Sequence, residues 1–91
     1  GKLSIRLSSH KVYAGGREVK LTPKEYALLE CLMKNKNLVM SREQLLVKCW
    51  GYDYEGDSRA VDTHIKRLRE KLGEHSDCIK TVIKAGYKLE V

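Results

Sequence analysis

The hydrophobic pattern of this chain changes period at Thr22, and this change limits the possible folds more than any other feature of the sequence. Upstream, Leu3, Ile5 and Leu7 alternate with polar residues, which is typical of a half-buried strand. Downstream, apolar residues recur every three or four positions, which is typical of amphipathic helices. The sequence therefore predicts an α+β fold in which a small sheet precedes a group of helices.

The sheet is predicted to be an antiparallel meander. Two further strands, over Lys11–Ala14 and Arg17–Leu21, flank the pair Gly15-Gly16. Two adjacent glycines suit a two-residue hairpin turn, because both central residues of such a turn take positive φ.

Two capping boxes mark the starts of the first two helices. Thr22-Pro23-Lys24-Glu25 supplies an N-cap Thr, a Pro at the first helical position and a Glu at the third. This helix is predicted to end at Asn35-Lys36-Asn37, and residues 38–40 are predicted to add a short strand. Ser41-Arg42-Glu43-Gln44 opens the second helix, which ends near Trp50.

A third helix is predicted from a cap at Asp57 or Ser58 to about Leu72, with Gly73 as its stop. On a helical wheel its core stripe consists of Val61, Ile65, Leu68 and Leu72. The opposite face collects Arg59, Thr63, Lys66, Arg67 and Glu70, with His64 and Arg69 on the flanks.

The outward face of this helix admits two interpretations. A helix fits the DNA major groove, where Arg or Lys pairs with guanine O6 and N7 and Thr contacts either base type. Most charged helix faces are only solvated, however, and Glu70 lies on the same face. The pattern alone leaves both interpretations open.

The chain is predicted to end in a β-hairpin, with strands over 78–83 and 87–91 around a turn at 84–86. Such a ribbon can reach a DNA backbone or minor groove, or it can simply close the hydrophobic core. The polar residues grouped near its tip are Lys80, Thr81, Lys84, Tyr87 and Lys88.

Composition narrows the class of protein. Ninety-one residues support one domain, 1–91, and a net charge of +6 is compatible with nucleic acid, an anionic membrane surface or an acidic protein. The odd set Cys31, Cys49 and Cys78 argues against a disulfide scaffold and for a reducing compartment, here the cytoplasm. No apolar stretch is long enough for a membrane span.

Nothing in the sequence indicates catalysis. His10, His64 and His75 lack metal-ligand spacing with the cysteines, and no phosphate-binding loop or nucleophile elbow occurs. We therefore predict no catalytic residue, no metal ligand and no cofactor. Structured RNA is disfavoured as a partner because RNP aromatics and a GXXG clamp are missing.

Taken together, the order of motifs resembles the C-terminal effector domain of the OmpR/PhoB family of bacterial two-component response regulators. The resemblance covers essentially the whole chain and implies a winged helix-turn-helix with an N-terminal antiparallel sheet, three helices and a C-terminal β-hairpin wing. It also implies that the phosphoacceptor receiver domain of the phosphorelay lies outside these residues. The motifs that carry it are Leu21–Tyr26, Ser41–Leu46, Trp50-Gly51, Val61–Leu72 and Gly86-Tyr87-Lys88.

The resemblance implies sequence-specific binding of double-stranded DNA and transcription regulation, with the third helix in the major groove and the wing at the backbone or minor groove. Ile83 stands where many members carry a wing Arg, which puts Arg-type minor-groove reading in doubt. The DNA contacts implied are Arg59, Thr63, His64, Lys66, Arg67 and Arg69 on the helix, with Trp50, Thr81, Lys84, Tyr87 and Lys88 outside it. Trp50 fits helix-end packing equally well.

Partners follow from the same resemblance. Family members occupy direct repeats in promoters as tandem dimers, and we expect the isolated domain to be monomeric. The acidic 51–57 loop is the candidate for docking on RNA polymerase, which is also the alternative function, a protein-interaction module. Its candidate contact residues are Tyr52, Asp53, Tyr54 and Glu55.

Overall fold

A computed structural model describes residues 3–6 and 9–90, and its elements follow the predicted order. Three strands come first: β1 (Leu3–Arg6), β2 (Lys11–Ala14) and β3 (Arg17–Val19). Three helices follow: α1 (Pro23–Lys34), α2 (Arg42–Trp50) and α3 (Arg59–Leu72). A 3₁₀ helix (Gly73–Cys78) then leads into a hairpin of β4 (Ile79–Val82) and β5 (Gly86–Leu89).

The N-terminal sheet is the predicted antiparallel meander, in the order β1-β2-β3. Gly15 and Gly16 take φ values of 61° and 83°, as a two-residue turn with both centres left-handed requires. Val12 pairs with Val19, and both side chains are buried under the helices. The predicted common face of Leu3, Ile5 and Leu7 falls outside the residues and side chains that the structure describes.

Both predicted capping boxes are confirmed. The Glu25 amide donates to Thr22 Oγ1 at 3.3 Å, and the Thr22 amide donates to Glu25 Oε1 at 2.9 Å. Ser41 and Gln44 exchange the same two bonds at 3.0 and 2.9 Å. Each box satisfies amides that the first helical turn leaves without partners, so the starts of α1 and α2 are set locally.

Other boundaries differ from the prediction. Of the two candidate caps for α3, Asp57 accepts the Arg59 amide at 2.9 Å, whereas Ser58 makes no side-chain cap bond. Gly73 ends α3 at a φ of 58°, but the chain continues into the 3₁₀ helix, so β4 begins one residue later than predicted. Residues 38–40 form no strand, and Met40 alone makes an isolated bridge with Tyr87.

The core lies between the sheet, the helices and the hairpin, and it confirms the predicted stripe of α3. Its four stripe residues are at most 1% exposed and face fully buried leucines of α1, α2 and β5. Because this side of α3 is wholly covered, the opposite side is held toward solvent. The α3 stripe is Val61, Ile65, Leu68 and Leu72, and the facing leucines are Leu28, Leu29, Leu32, Leu45 and Leu89.

Candidate nucleic-acid interface

The outward face of α3 carries the side chains that the helical wheel placed there. Arg59, Thr63, Lys66 and Arg67 are all exposed, as is Glu70. Sequence periodicity was sufficient to find this face because the helical period fixes the angle between each side chain and the buried stripe.

These side chains differ in how free they are to meet a partner. Arg59 is paired with Asp57, whose carboxylate lies 3.1 Å from both Nε and Nη2. The bond from the Arg59 amide, and then this side-chain pair, lowers the pKa of Asp57. Thr63 Oγ1 donates to the Arg59 carbonyl at 3.1 Å. Within the ranges 3–6 and 9–90, no group pairs with Lys66 or Arg67, so their donors are available.

His64 and Trp50 form a packed pair at the flank of α3. Their ring centroids lie 5.1 Å apart, edge to face, and His64 Nδ1 is 2.9 Å from the Ala60 carbonyl. Lys24 Nζ lies 5.4 Å from the Trp50 ring and donates to the Cys49 carbonyl at 2.7 Å, which closes the end of α2. The indole of Trp50 is partly buried and joins all three helices.

Arg69, one of the predicted DNA contacts, is turned toward the hairpin. Its Nε and Nη2 donate to the Ile79 carbonyl at 3.2 and 2.8 Å, and Nη2 also donates to Thr81 Oγ1 at 2.8 Å. The guanidinium carbon lies 5.6 Å from the centroid of the Tyr87 ring. Arg69 and Thr81 therefore use their polar groups on each other and on the strand.

Tyr87, also a predicted DNA contact, is largely buried where the hairpin meets α3. It is 8% exposed, and its hydroxyl donates to Asp62 Oδ1 at 2.7 Å. Burial, and then the bond to Asp62, raises the pKa of Tyr87 to about 12. The side chain is drawn inward because Met40 and Tyr87 exchange backbone bonds at 2.8 and 2.9 Å beside the start of α2.

Asp62 and Arg42 are functional-site residues that sequence reasoning missed. Arg42 Nε and Nη2 reach the two carboxylate oxygens of Asp62 at 3.1 and 2.6 Å, and this pairing lowers the pKa of Asp62. The only sequence signal was an acid at the flank of the core stripe in a basic helix. Its partners lie 20 residues before it and 25 after it, so no local pattern reveals them.

The tip of the hairpin is apolar with one cation. Ile83 is 82% exposed, and Lys84 is exposed with a φ of 64°, in a turn closed by the Ala85 amide on the Val82 carbonyl at 2.9 Å. Lys88 is half-buried and pairs with Glu90 at 2.8 Å. Of the predicted hairpin contacts, Lys84 is thus the one that projects a free charge from the tip.

The 51–57 loop presents its acids and one tyrosine to solvent. Tyr52 is 92% exposed, and Asp53 and Glu55 beside it are also exposed. Tyr54 differs, because its ring packs against Trp50 with centroids 6.1 Å apart. All four candidate polymerase contacts are exposed, and Tyr54 is the less exposed of the two tyrosines at 37%.

The described part of the chain shows no group of three or more metal-ligating side chains. Burial raises the pKa of Cys49 to about 11, and it also raises the pKa of the Cys31 and Cys78 thiols. Such thiols stay protonated at neutral pH and are poor nucleophiles and metal ligands. No helix among the described residues combines the length and the apolarity needed to cross a bilayer.

Comparison with known proteins identifies the family to which this chain belongs. Residues 16–89 match the family described as "Transcriptional regulatory protein, C terminal". Transcriptional regulatory protein SrrA of Staphylococcus aureus is 53% identical over 93 residues, which cover 98% of this chain and 39% of SrrA. The chain thus spans about two fifths of the length of this curated relative.

Solved structures of similar fold indicate the same family. The RstA DNA-binding domain of Klebsiella pneumoniae, crystallised in complex with the RstA box, is similar with a TM-score of 0.87 and 34% identity, over 99% of this chain and 92% of that one. DrrB of Thermotoga maritima, an OmpR/PhoB homologue, gives 0.89 and 32%, over 100% of this chain and 42% of that one. The chain therefore belongs to the family of OmpR/PhoB-type C-terminal DNA-binding domains of response regulators, and its fold is the winged helix-turn-helix.

Proposed function

We propose that residues 1–91 act as one winged-helix domain that binds double-stranded DNA sequence-specifically, with α3 in the major groove and the β4–β5 hairpin, the wing, at the backbone or minor groove. The observation that carries this proposal is the pair Lys66 and Arg67, exposed and unpaired among the described residues on the side of α3 opposite its buried stripe. The RstA complex with its DNA box supports the choice of partner.

The contacts divide by chemistry. Lys66, Arg67 and Thr63 present donors and a methyl group that suit base edges in the major groove. Arg59 and Lys84, at the start of α3 and the tip of the wing, suit phosphates, which give affinity without sequence information. Arg59 must exchange Asp57 for phosphate, so its contribution is smaller than that of a free Arg.

In the longer protein, the domain regulates transcription as the output of a two-component system. We expect it to be monomeric alone, to form a tandem dimer on promoter direct repeats, and to work in the cytoplasm without a cofactor or an enzymatic step. Phosphorylation control then resides in a receiver domain elsewhere in the protein.

Replacement of Arg67 by Ala tests the proposal. A duplex selected by the domain from a random library is labelled, and its affinity is measured by fluorescence anisotropy over a range of salt. Loss of a bidentate base contact costs about 1–3 kcal/mol on this duplex and less on duplexes mutated at the contacted guanine. Arg17→Ala is the matched control, because Arg17 is exposed in the N-terminal sheet and the substitution removes the same charge.

Absence of any duplex binding by the wild-type domain at low salt would contradict the proposed function. An equal loss for Arg67→Ala on every duplex would reassign Arg67 to a phosphate contact and leave base reading to its neighbours.

A second function, docking on RNA polymerase, is favoured by the nearly full exposure of Tyr52 next to the acids of the 51–57 loop. Tyr52→Ala should leave DNA affinity unchanged and lower transcription from a promoter that carries the selected site. An unchanged transcript yield in a reconstituted assay would refute this role.

A further inference from the structure

We propose that Asp62 and Tyr87 position the wing relative to α3 and thereby set the offset between the two DNA grooves that the domain reads. This inference rests on the proposed function above. It concerns side chains that face inward and act on DNA through the placement of other residues.

Asp62 joins three elements at one carboxylate. It belongs to α3, it receives both Arg42 donors from the start of α2, and it receives the Tyr87 hydroxyl from β5. The Arg42 pair is bidentate, which fixes the plane of the carboxylate as well as its position. The hydroxyl of Tyr87 is therefore held against a carboxylate that cannot rotate freely.

Arg69 supplies a second tether on the other strand. It lies seven positions after Asp62, which is two helical turns or about 10 Å along α3, and it holds the Ile79 carbonyl and Thr81 of β4. One tether at each strand, at separate points on one helix, fixes the angle of a ribbon as well as its distance.

Near its turn, the wing is held against the residues that precede α2. Met40 and Tyr87 exchange two backbone bonds, and a side chain at Gly86 would collide with the Met40 carbonyl. This contact, one residue pair from the turn, holds the edge of β5 but not the tilt of the hairpin about that strand. A two-stranded hairpin is only marginally stable in water, so its direction depends on tethers to the rest of the domain.

A direct role in DNA contact does not explain these residues. The carboxylate of Asp62 is repelled by phosphate, and Tyr87 is 8% exposed with its hydroxyl committed to Asp62. Their position between the reading helix and the wing explains them better, because the wing tip carries Lys84 and α3 carries Lys66 and Arg67.

The test is a double-mutant cycle with Tyr87→Phe, Asp62→Asn and the double variant, measured on the duplex that the wild-type domain selects. Tyr87→Phe removes one charge-assisted hydrogen bond and should bind about five- to tenfold more weakly. Asp62→Asn also weakens the Arg42 pair and should bind at least as weakly. If the two act through one bond, the double variant should be no weaker than the poorer single variant. Additive losses would mean separate contacts with DNA and would overturn the proposal.

Footprinting provides a readout that a merely structural role would not change. At saturating protein, hydroxyl-radical protection of the wing-side minor groove should fade in both variants, while protection of guanine N7 in the major groove persists. Because saturation reports only folded, bound protein, this result holds even if a variant is less stable. Uniform retention of both protections would also overturn the proposal.

Matched controls are Tyr13→Phe in the N-terminal sheet and Asp77→Asn in the 3₁₀ helix, which make the same chemical changes outside the contact between Asp62 and Tyr87. Both should bind like the wild type. If the wild-type domain binds no duplex, the proposed function fails. If it binds and all three variants keep its affinity, only the positioning role fails.

Discussion

Replacement of Lys71 by Met should destabilise the domain through a buried carboxylate on another helix. Glu25 is 2% exposed, and its Oε1 accepts from Lys71 Nζ at 2.5 Å and from the Thr22 amide at 2.9 Å. The substitution keeps most of the aliphatic length of Lys71 and removes its charge. Glu25 would then be an ionised group in the interior with the capping bond as its main compensation.

The loss of stability depends on how well water can reach Glu25 after Lys71 is replaced. Breaking a fully buried ion pair by removing one partner costs about 3–5 kcal/mol. The Lys71 side chain is 38% exposed, so water partly reaches the gap, and we expect about 2–3 kcal/mol. For a domain of this size, that lowers the midpoint of thermal unfolding by about 10–20 °C.

The pH dependence separates this mechanism from lost packing. Burial raises the pKa of Glu25, but the bonds from Lys71 and Thr22 outweigh it, so the pKa lies below the ordinary value of 4.5. The wild-type contribution is therefore present above pH 4.5 and lost as the pH falls through the lower folded-state pKa. In Lys71→Met, burial acts without Lys71 and raises the pKa, so the deficit should shrink as the pH falls.

Circular dichroism melts at about pH 7 and about pH 4 measure both effects, because the ordinary carboxyl pKa of 4.5 lies between these two values. The double variant Lys71→Met with Glu25→Gln should be more stable than Lys71→Met at neutral pH, because the unpaired charge is gone. Equal melting temperatures for these two variants, or a deficit that does not change with pH, would refute the reasoning.

Three further predictions concern the wing and the caps. Ile83→Arg should tighten DNA binding by about three- to tenfold, more for duplexes with an A·T-rich minor groove at the wing; anisotropy measures this, and an equal gain on every duplex would show a charge effect only. Gly86→Ala should lower the free energy of unfolding by more than about 2 kcal/mol in a denaturant melt, since Gly86 has a φ of 141° and abuts the Met40 carbonyl; wild-type stability would contradict the close contact between Gly86 and Met40. Ser41→Ala should cost about 1 kcal/mol in the same assay because it removes the α2 cap, and no loss would show that tertiary packing alone sets that end.

Local patterns were sufficient for most of the fold. The capping boxes at Thr22 and Ser41 and the stop at Gly73 involve bonds within a few residues, so their chemistry is visible in the sequence. The outward face of α3 was equally accessible, because a single helical period places each side chain relative to the core. The misplaced strand at 38–40 and the 3₁₀ helix are short segments whose structure depends on the β5 and α3 residues beside them.

What the sequence by itself determined is the order of elements, the buried stripe of α3 and the availability of Lys66 and Arg67 on its other side. The tertiary structure alone decided which polar residues face inward. The side chains of Arg69 and Tyr87, both predicted DNA contacts, bond to Ile79 and Asp62, and these partners come close only when the hairpin packs against α3. A hydrogen bond between distant segments depends on packing geometry, and no period along the chain encodes it.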